Sequence, residues 1–186
     1  MKPQVRVLTV SDGKRARHDS RWFIGTIFRG SKYFEGLIKF IFEPSQERLV
    51  EKISLGIQQS RHHCQVRLIL LDGLQALQNS LSDIEQIYQR TGIPVIVLER
   101  KKARTLKKNM LREKTRELET RPLEEESISS IEYRSFRLYY TGIKLKDVMD
   151  FIQFHIKNGK TPSILNSTRV IANAYNLFKG KQKGQL

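Results

Sequence analysis

Two Asp-Gly steps, each at the end of an apolar run, are the residues best placed to do chemistry. Asp12 closes VRVLTVSDG and Asp72 closes VRLILLDG. Open α/β folds put ligands and reacting groups at the carboxyl ends of strands. A Gly directly after each acid lets the backbone turn sharply or approach a ligand closely. If the two strands are neighbours, the carboxylates converge and repel, and a divalent cation relieves that repulsion. Mg²⁺ is the expected ion, or Mn²⁺ in its stead, held by one or two carboxylates plus phosphate oxygens. Such ions activate water for phosphodiester hydrolysis. Asp-Gly is also an ordinary turn dipeptide, so spacing alone leaves the pair open between a metal site and two turns.

A third ligand is less plain. Glu43 follows the third apolar run and is the nearest candidate. Glu47 and Glu51 read as a solvated helix face, and Asp83 as the outer face of its helix. Basic residues flank the two acids. Lys14, Arg15 and Arg17 follow Asp12, and Arg100, Lys101, Lys102 and Arg104 open the stretch RKKARTLKK. Phosphates gripped by such groups would be held beside the acids, although RKKARTLKK reads equally as a solvated helix start or a loop. Tyr139 and Tyr140 can stack on bases, but strand spacing puts one of them in the core. His18 reads as a solvent-exposed loop histidine.

Composition supports a polyanionic partner. Lys and Arg number 34 against 19 Asp and Glu, a net charge of +15, which attracts nucleic acid by steering and counterion release. Cys64 is the single cysteine, so an intramolecular disulfide and a cysteine-based zinc site are excluded. The run His62-His63-Cys64 reads as a turn entering a buried strand. No signal peptide or bilayer-spanning run is seen, and a cytosolic location is the default expectation.

The elements that must position these groups follow from apolar periodicity. Residues 5–10, 22–28 and 33–42 read as three strands, the last two joined by the short Gly30-containing link of a hairpin. A helix is expected from Ser45 to about Ser60. Residues 66–71 (VRLILL) and 93–98 (IPVIVL) are nearly continuous apolar runs, as in strands buried on both faces of a parallel sheet. Leu77, Leu81, Ile84, Ile87 and Tyr88 form the helix between them. Strand, helix, strand, helix, strand is a βαβ arrangement. Further on, a helix is expected over 105–118, a loop over 120–130, one strand over 131–140 and helices over 144–157 and 165–178, with a polar tail over 180–186. One domain spanning 1–186 is expected.

This order of elements is similar to the RNase H-like nuclease arrangement. The stretches SDG at 11–13, ILLDG at 69–73, TGIPVIV at 91–97, YTGI at 140–143 and TPSILNSTRVIA at 161–172 resemble an archaeal family known as endonuclease dU, or domain of unknown function ninety-nine, itself related to endonuclease V. The resemblance implies an α/β fold with a mixed sheet, three early antiparallel strands then parallel ones, flanked by helices. It matches Asp12 to the acid of strand one and Asp72 to the acid ending strand four. It implies a Mg²⁺-dependent endonuclease acting on DNA or RNA, with deaminated bases as the substrate and DNA repair as the setting. The turn after strand three, with Glu43 and Glu47, departs from the regular pattern, which keeps a non-catalytic nucleic-acid-binding protein of the same fold as the alternative. A scaffold whose charge is incidental is a third reading.

Overall fold

The computed structural model describes residues 4–13, 21–42, 48–73, 81–101, 128–156 and 160–183. Strands β1 (Arg6–Ser11), β2 (Arg21–Arg29) and β3 (Tyr33–Phe42) come first, followed by helix α1 (Leu49–Gln58) and strand β4 (Leu68–Leu71). Helix α2 (Ser82–Thr91), strand β5 (Val95–Arg100) and a hairpin of β6 (Ser129–Tyr133) and β7 (Phe136–Thr141) come next. Helices α3 (Leu145–His155) and α4 (Ser163–Lys183) complete the order.

All seven strands form one sheet in the order β3-β2-β1-β4-β5-β7-β6. The β1–β2 and β2–β3 pairs are antiparallel, β1–β4 and β4–β5 are parallel, and β5–β7 and β6–β7 are antiparallel again. This is the mixed RNase H-like sheet that the resemblance implies, with an antiparallel β7–β6 edge beyond its parallel strands. The central strands are buried on both faces. Ile69, Leu71, Val95 and Val97 pack with Leu8, Val10, Ile53, Ile57, Ile84 and Ile87 on the α1–α2 side. Leu68, Leu70, Ile96 and Leu98 pack with Val148, Phe151, Ile152 and Leu165 on the α3–α4 side. The period-two alternation of a strand splits each apolar run between the two layers. Each such side chain, fully buried, contributes roughly 1.5–3 kcal/mol.

Several boundaries differ from the sequence reading. Residues 131–140 are two strands, not one: the chain reverses at Arg134, whose φ of 52° is left-handed, and Phe136 pairs back onto Tyr133. Alternation across a hairpin looks continuous in sequence, and no Gly or Pro marks this turn. Helix α4 runs to Lys183, through residues whose polar composition reads as a tail. Asp83 is buried at 7% exposure and accepts a 2.7 Å bond from Arg48 Nη2. It is therefore a paired carboxylate between helices and not an outward-facing one, because burial of an ionised group requires such a partner. Of the two tyrosines, Tyr140 is core and Tyr139 half-buried. The turn after α1 places Cys64 at the surface. The expected helix over 105–118 lies outside the described residues.

Candidate functional site

Strands β1 and β4 run side by side in parallel, with Val10 opposite Leu71. The ladder extends one step further: Asp72 N–H donates to the Val10 carbonyl at 3.0 Å. Asp72 is thus level with Ser11, and the Ser11 hydroxyl donates to Asp72 Oδ2 at 2.7 Å. Ser11 Oγ also accepts from Gly13 N–H at 3.1 Å, which ties the post-strand turn to the same point. Asp12 comes one residue later, at the parity of Leu8 and Val10. The two acids therefore stand at the same edge of the sheet but one step out of phase. Among the described residues, no group of three or more His, Cys, Asp and Glu is placed to hold a metal ion. Glu43 lies outside the described residues.

Helix α4 supplies the rest of the site. It packs across β1 and β2. Thr168 buries its hydroxyl among those of Thr9 and Thr26, while Thr9 and Thr26 bond each other at 2.7 Å. Thr168 also donates to the Ile164 carbonyl at 2.8 Å. With the Thr168 proton on the Ile164 carbonyl, Thr168 Oγ1 accepts within the cluster and the protons there come from Thr9 and Thr26. This fastening sets the next residue, Arg169, against Asp72. Arg169 Nε donates to Asp72 Oδ2 at 2.6 Å and Nη2 donates to Oδ1, a two-pronged fork on the carboxylate. The bond to Asp72 raises the guanidinium pKa above its ordinary value, against burial, with the charges of Asp72 and Asp12 adding to the effect. One further turn along the same stripe, Asn173 sits where a Cβ on Gly13 would lie 2.5 Å from its Oδ1. Asn176 Nδ2 donates to the Asp12 carbonyl at 2.8 Å. Arg169, Asn173 and Asn176 share a helix face through their i, i+4, i+7 spacing, and that face fits Asp72, Gly13 and Asp12 in turn.

Gly13 has a φ of 71°, a conformation that costs other residues but not Gly. Gly73, after the second acid, has a φ of 80° with open space around it.

This geometry bears on the divalent ion that the resemblance implies. Asp72 offers about four lone-pair positions, and bonds from Arg169 and Ser11 already use three of them, two on Oδ2 and one on Oδ1. A guanidinium stands where a cation would coordinate. Among the described residues, the groups around Asp72 as arranged do not fit a divalent ion.

The basic residues are distributed unevenly. Arg100 is exposed at the end of β5, which extends three residues past Val97, the partner of Leu71. Lys101 has a side chain only 6% exposed and bonds Glu132 Oε2 at 2.7 Å. Arg137 bonds the same carboxylate at 2.7 Å. Burial alone would raise the Glu132 pKa, but the bonds from Lys101 and Arg137 outweigh it and leave the carboxyl below its ordinary value. Lys101 thus joins the sheet to the β6–β7 hairpin. Lys14, Arg15, Arg17, Lys102 and Arg104 lie outside the described residues, as does His18.

Ser11, Arg169 and Asn176 were not singled out from the sequence. Arg169 lies 97 residues from Asp72, and no local spacing announces such a pair. The one local signal is the stripe of Arg169, Asn173 and Asn176 along the final helix.

Among solved structures, the chain is similar to a protein of unknown function from Archaeoglobus fulgidus, with a TM-score of 0.65, 18% identity, and coverage of 92% of this chain and 98% of that one. It is also similar to an endonuclease V from Streptomyces avermitilis, with a TM-score of 0.61, 11% identity and coverage of 96% and 84%. These likenesses concern the fold. Among curated relatives, a UPF0215 protein of Methanosarcina acetivorans is 35% identical over 54% of this chain and 50% of its own length. One from Methanothermobacter thermautotrophicus is 28% identical over 99% of this chain and 93% of its own length. The chain spans about half the length of the first curated relatives it matches. Among the described residues, no helix is long and apolar enough to cross a membrane. A family model described as Endonuclease dU matches residues 3–176, and the chain therefore belongs to the Endonuclease dU family.

Proposed function

We propose that this chain is a nuclease-like protein acting on the phosphodiester backbone of DNA or RNA, at the edge where β1 and β4 end. The observation that carries the reading is the placement of Asp12 and Asp72 on adjacent strand ends, at the carboxyl edge of a sheet shared in fold with endonuclease V. Family membership and the net charge of +15 point the same way. Phosphates reach this edge through long-range attraction to the basic surface, and the exposed Arg100 serves as one contact beyond β5. Lys14, Arg15 and Arg17 follow Asp12 in sequence, and Lys102 and Arg104 follow Arg100. Deaminated bases are the substrate suggested by the likeness to endonuclease V.

The test is a cleavage and binding screen on single- and double-stranded DNA and RNA carrying uracil or hypoxanthine, with Mg²⁺ or Mn²⁺ present. Asp72→Asn should abolish cleavage while leaving nucleic-acid binding intact or stronger, since one repelling charge is lost. Equal cleavage by the variant removes Asp72 from the chemistry.

A second reading, a non-catalytic nucleic-acid-binding protein, is favoured by the Arg169 fork on Asp72, which occupies the carboxylate that chemistry would need. Tight binding without cleavage in the same screen selects it.

A further inference from the structure

The mismatch between the Asp72 environment and a divalent ion has a specific cause in this chain. We propose that Arg169 is a built-in competitor for the cation position: guanidinium and divalent ion exclude each other on Asp72, so Arg169 sets the metal affinity of this edge. The inference rests on the nuclease-like reading of the same site, which is what makes a divalent ion relevant there.

The competition is steric and electrostatic together. Mg²⁺ binds carboxylate oxygens at roughly 2.0–2.1 Å in near-octahedral geometry. Arg169 Nε already stands 2.6 Å from Oδ2, and Nη2 bonds Oδ1. An ion on either oxygen would share that oxygen with a positively charged nitrogen of Arg169. Ser11 takes a further position on Oδ2 at 2.7 Å, so no unused side of that oxygen is left for the ion. The carboxylate can serve one cation at a time.

The guanidinium is also free to leave. The Arg169 side chain is 32% exposed, whereas the helix is held by its neighbours. Ile164, Leu165, Thr168 and Ala172 are all 0% exposed. Thr168 is fastened to Thr9 and Thr26 independently of Arg169. Arg169 can therefore swing towards solvent without undocking α4. Thr161 Oγ1 lies 3.5 Å from Nη1 and is a second polar neighbour of the guanidinium. The exchange needs no backbone rearrangement: one side chain turns away and one ion arrives.

The experiment is a Mn²⁺ titration without nucleic acid, followed by calorimetry or by the paramagnetic resonance of free Mn²⁺. It compares the unaltered protein with Arg169→Gln, Arg169→Lys and the double variant Arg169→Gln/Asp72→Asn. Arg169→Gln should bind Mn²⁺ at least tenfold more tightly than the unaltered protein, and the double variant should lose that gain. Arg169→Lys keeps a charge but not the fork and should fall between, with a gain of about threefold. If circular dichroism shows Arg169→Gln unfolded, the lysine variant carries the test. Equal affinities across the single variants, including no binding in any, overturn the proposal. So does a gain that survives loss of Asp72. Because the readout contains no nucleic acid, a failure here leaves the nuclease-like reading standing. A failure to bind or cut any substrate, in turn, leaves the metal measurement standing.

Discussion

Substituting His155 by Phe should flatten the pH dependence of stability between about pH 6.5 and 4. His155 ends helix α3 at 8% exposure, with its ring 4.4 Å from that of Phe151 and 4.9 Å from that of Phe154. Among the described residues its Nδ1 has no hydrogen-bond partner. Burial in this apolar setting pushes its pKa down from 6.5 to about 4, because a charged imidazolium would be desolvated without compensation. The sign follows directly. The unfolded chain binds a proton near pH 6.5 while the folded chain stays neutral, so stability is fully present above that pH and is lost as pH falls towards 4. Each tenfold rise in proton concentration across that window removes up to about 1.4 kcal/mol, about 3 kcal/mol in all. Against a total of roughly 5–15 kcal/mol for a domain, that loss decides whether the protein survives mild acid. Urea unfolding at half-unit steps from pH 7.5 to 4.5, on both proteins, gives the two slopes. Every group other than residue 155 is common to the two proteins and cancels in the difference. Phe at position 155 can shift the overall level by altered packing, but it carries no titrating group. Identical slopes in the two proteins would refute the reasoning.

Gly13→Ala should cost about 2–5 kcal/mol, because it adds a left-handed strain of about 1–2 kcal/mol to a collision with Asn173 on α4. Gly73→Ala, with the same strain but open space, should cost only about 1–2 kcal/mol. Chemical denaturation of the pair separates close approach from backbone conformation, and equal costs would deny the first. Arg100→Ala should lower the salt dependence of duplex DNA binding by about one counterion, a slope change near 0.9. Lys101→Met should instead reduce stability through loss of its bond to Glu132 and leave that slope unchanged. Filter-binding titrations from low to moderate salt read the slopes, and thermal melts read the stability.

The central sheet was legible because its strands carry their own signals. VRLILL and IPVIVL can be continuous only if both faces are buried, and the short Gly30 link joins β2 to β3 as a hairpin. The placement of Asp12 and Asp72 at one edge followed from that order. The β6–β7 hairpin was not legible, since Arg134 adopts its left-handed turn without Gly or Asn to announce it. Burial of Asp83 was hidden for a different reason: its partner Arg48 lies 35 residues away, so helical periodicity alone made it a surface acid. The same applies with greater force to Arg169 and Asp72. Sequence spacing reports what is near along the chain, and the character of this edge is decided by groups that meet only after folding.

The hydroxyl cluster of Thr9, Thr26 and Thr168 gives this a temporal meaning. Two of its members belong to the first strands and the third arrives 142 residues after Thr26. During synthesis on the ribosome, Ser11, Asp12 and Asp72 emerge long before the helix that completes their surroundings. A nascent chain would therefore expose the Asp72 carboxylate without its guanidinium partner and the Thr9–Thr26 hydroxyl pair on an uncovered sheet face, and both conditions would end in a single docking event when Thr168 and Arg169, adjacent in sequence, arrive together.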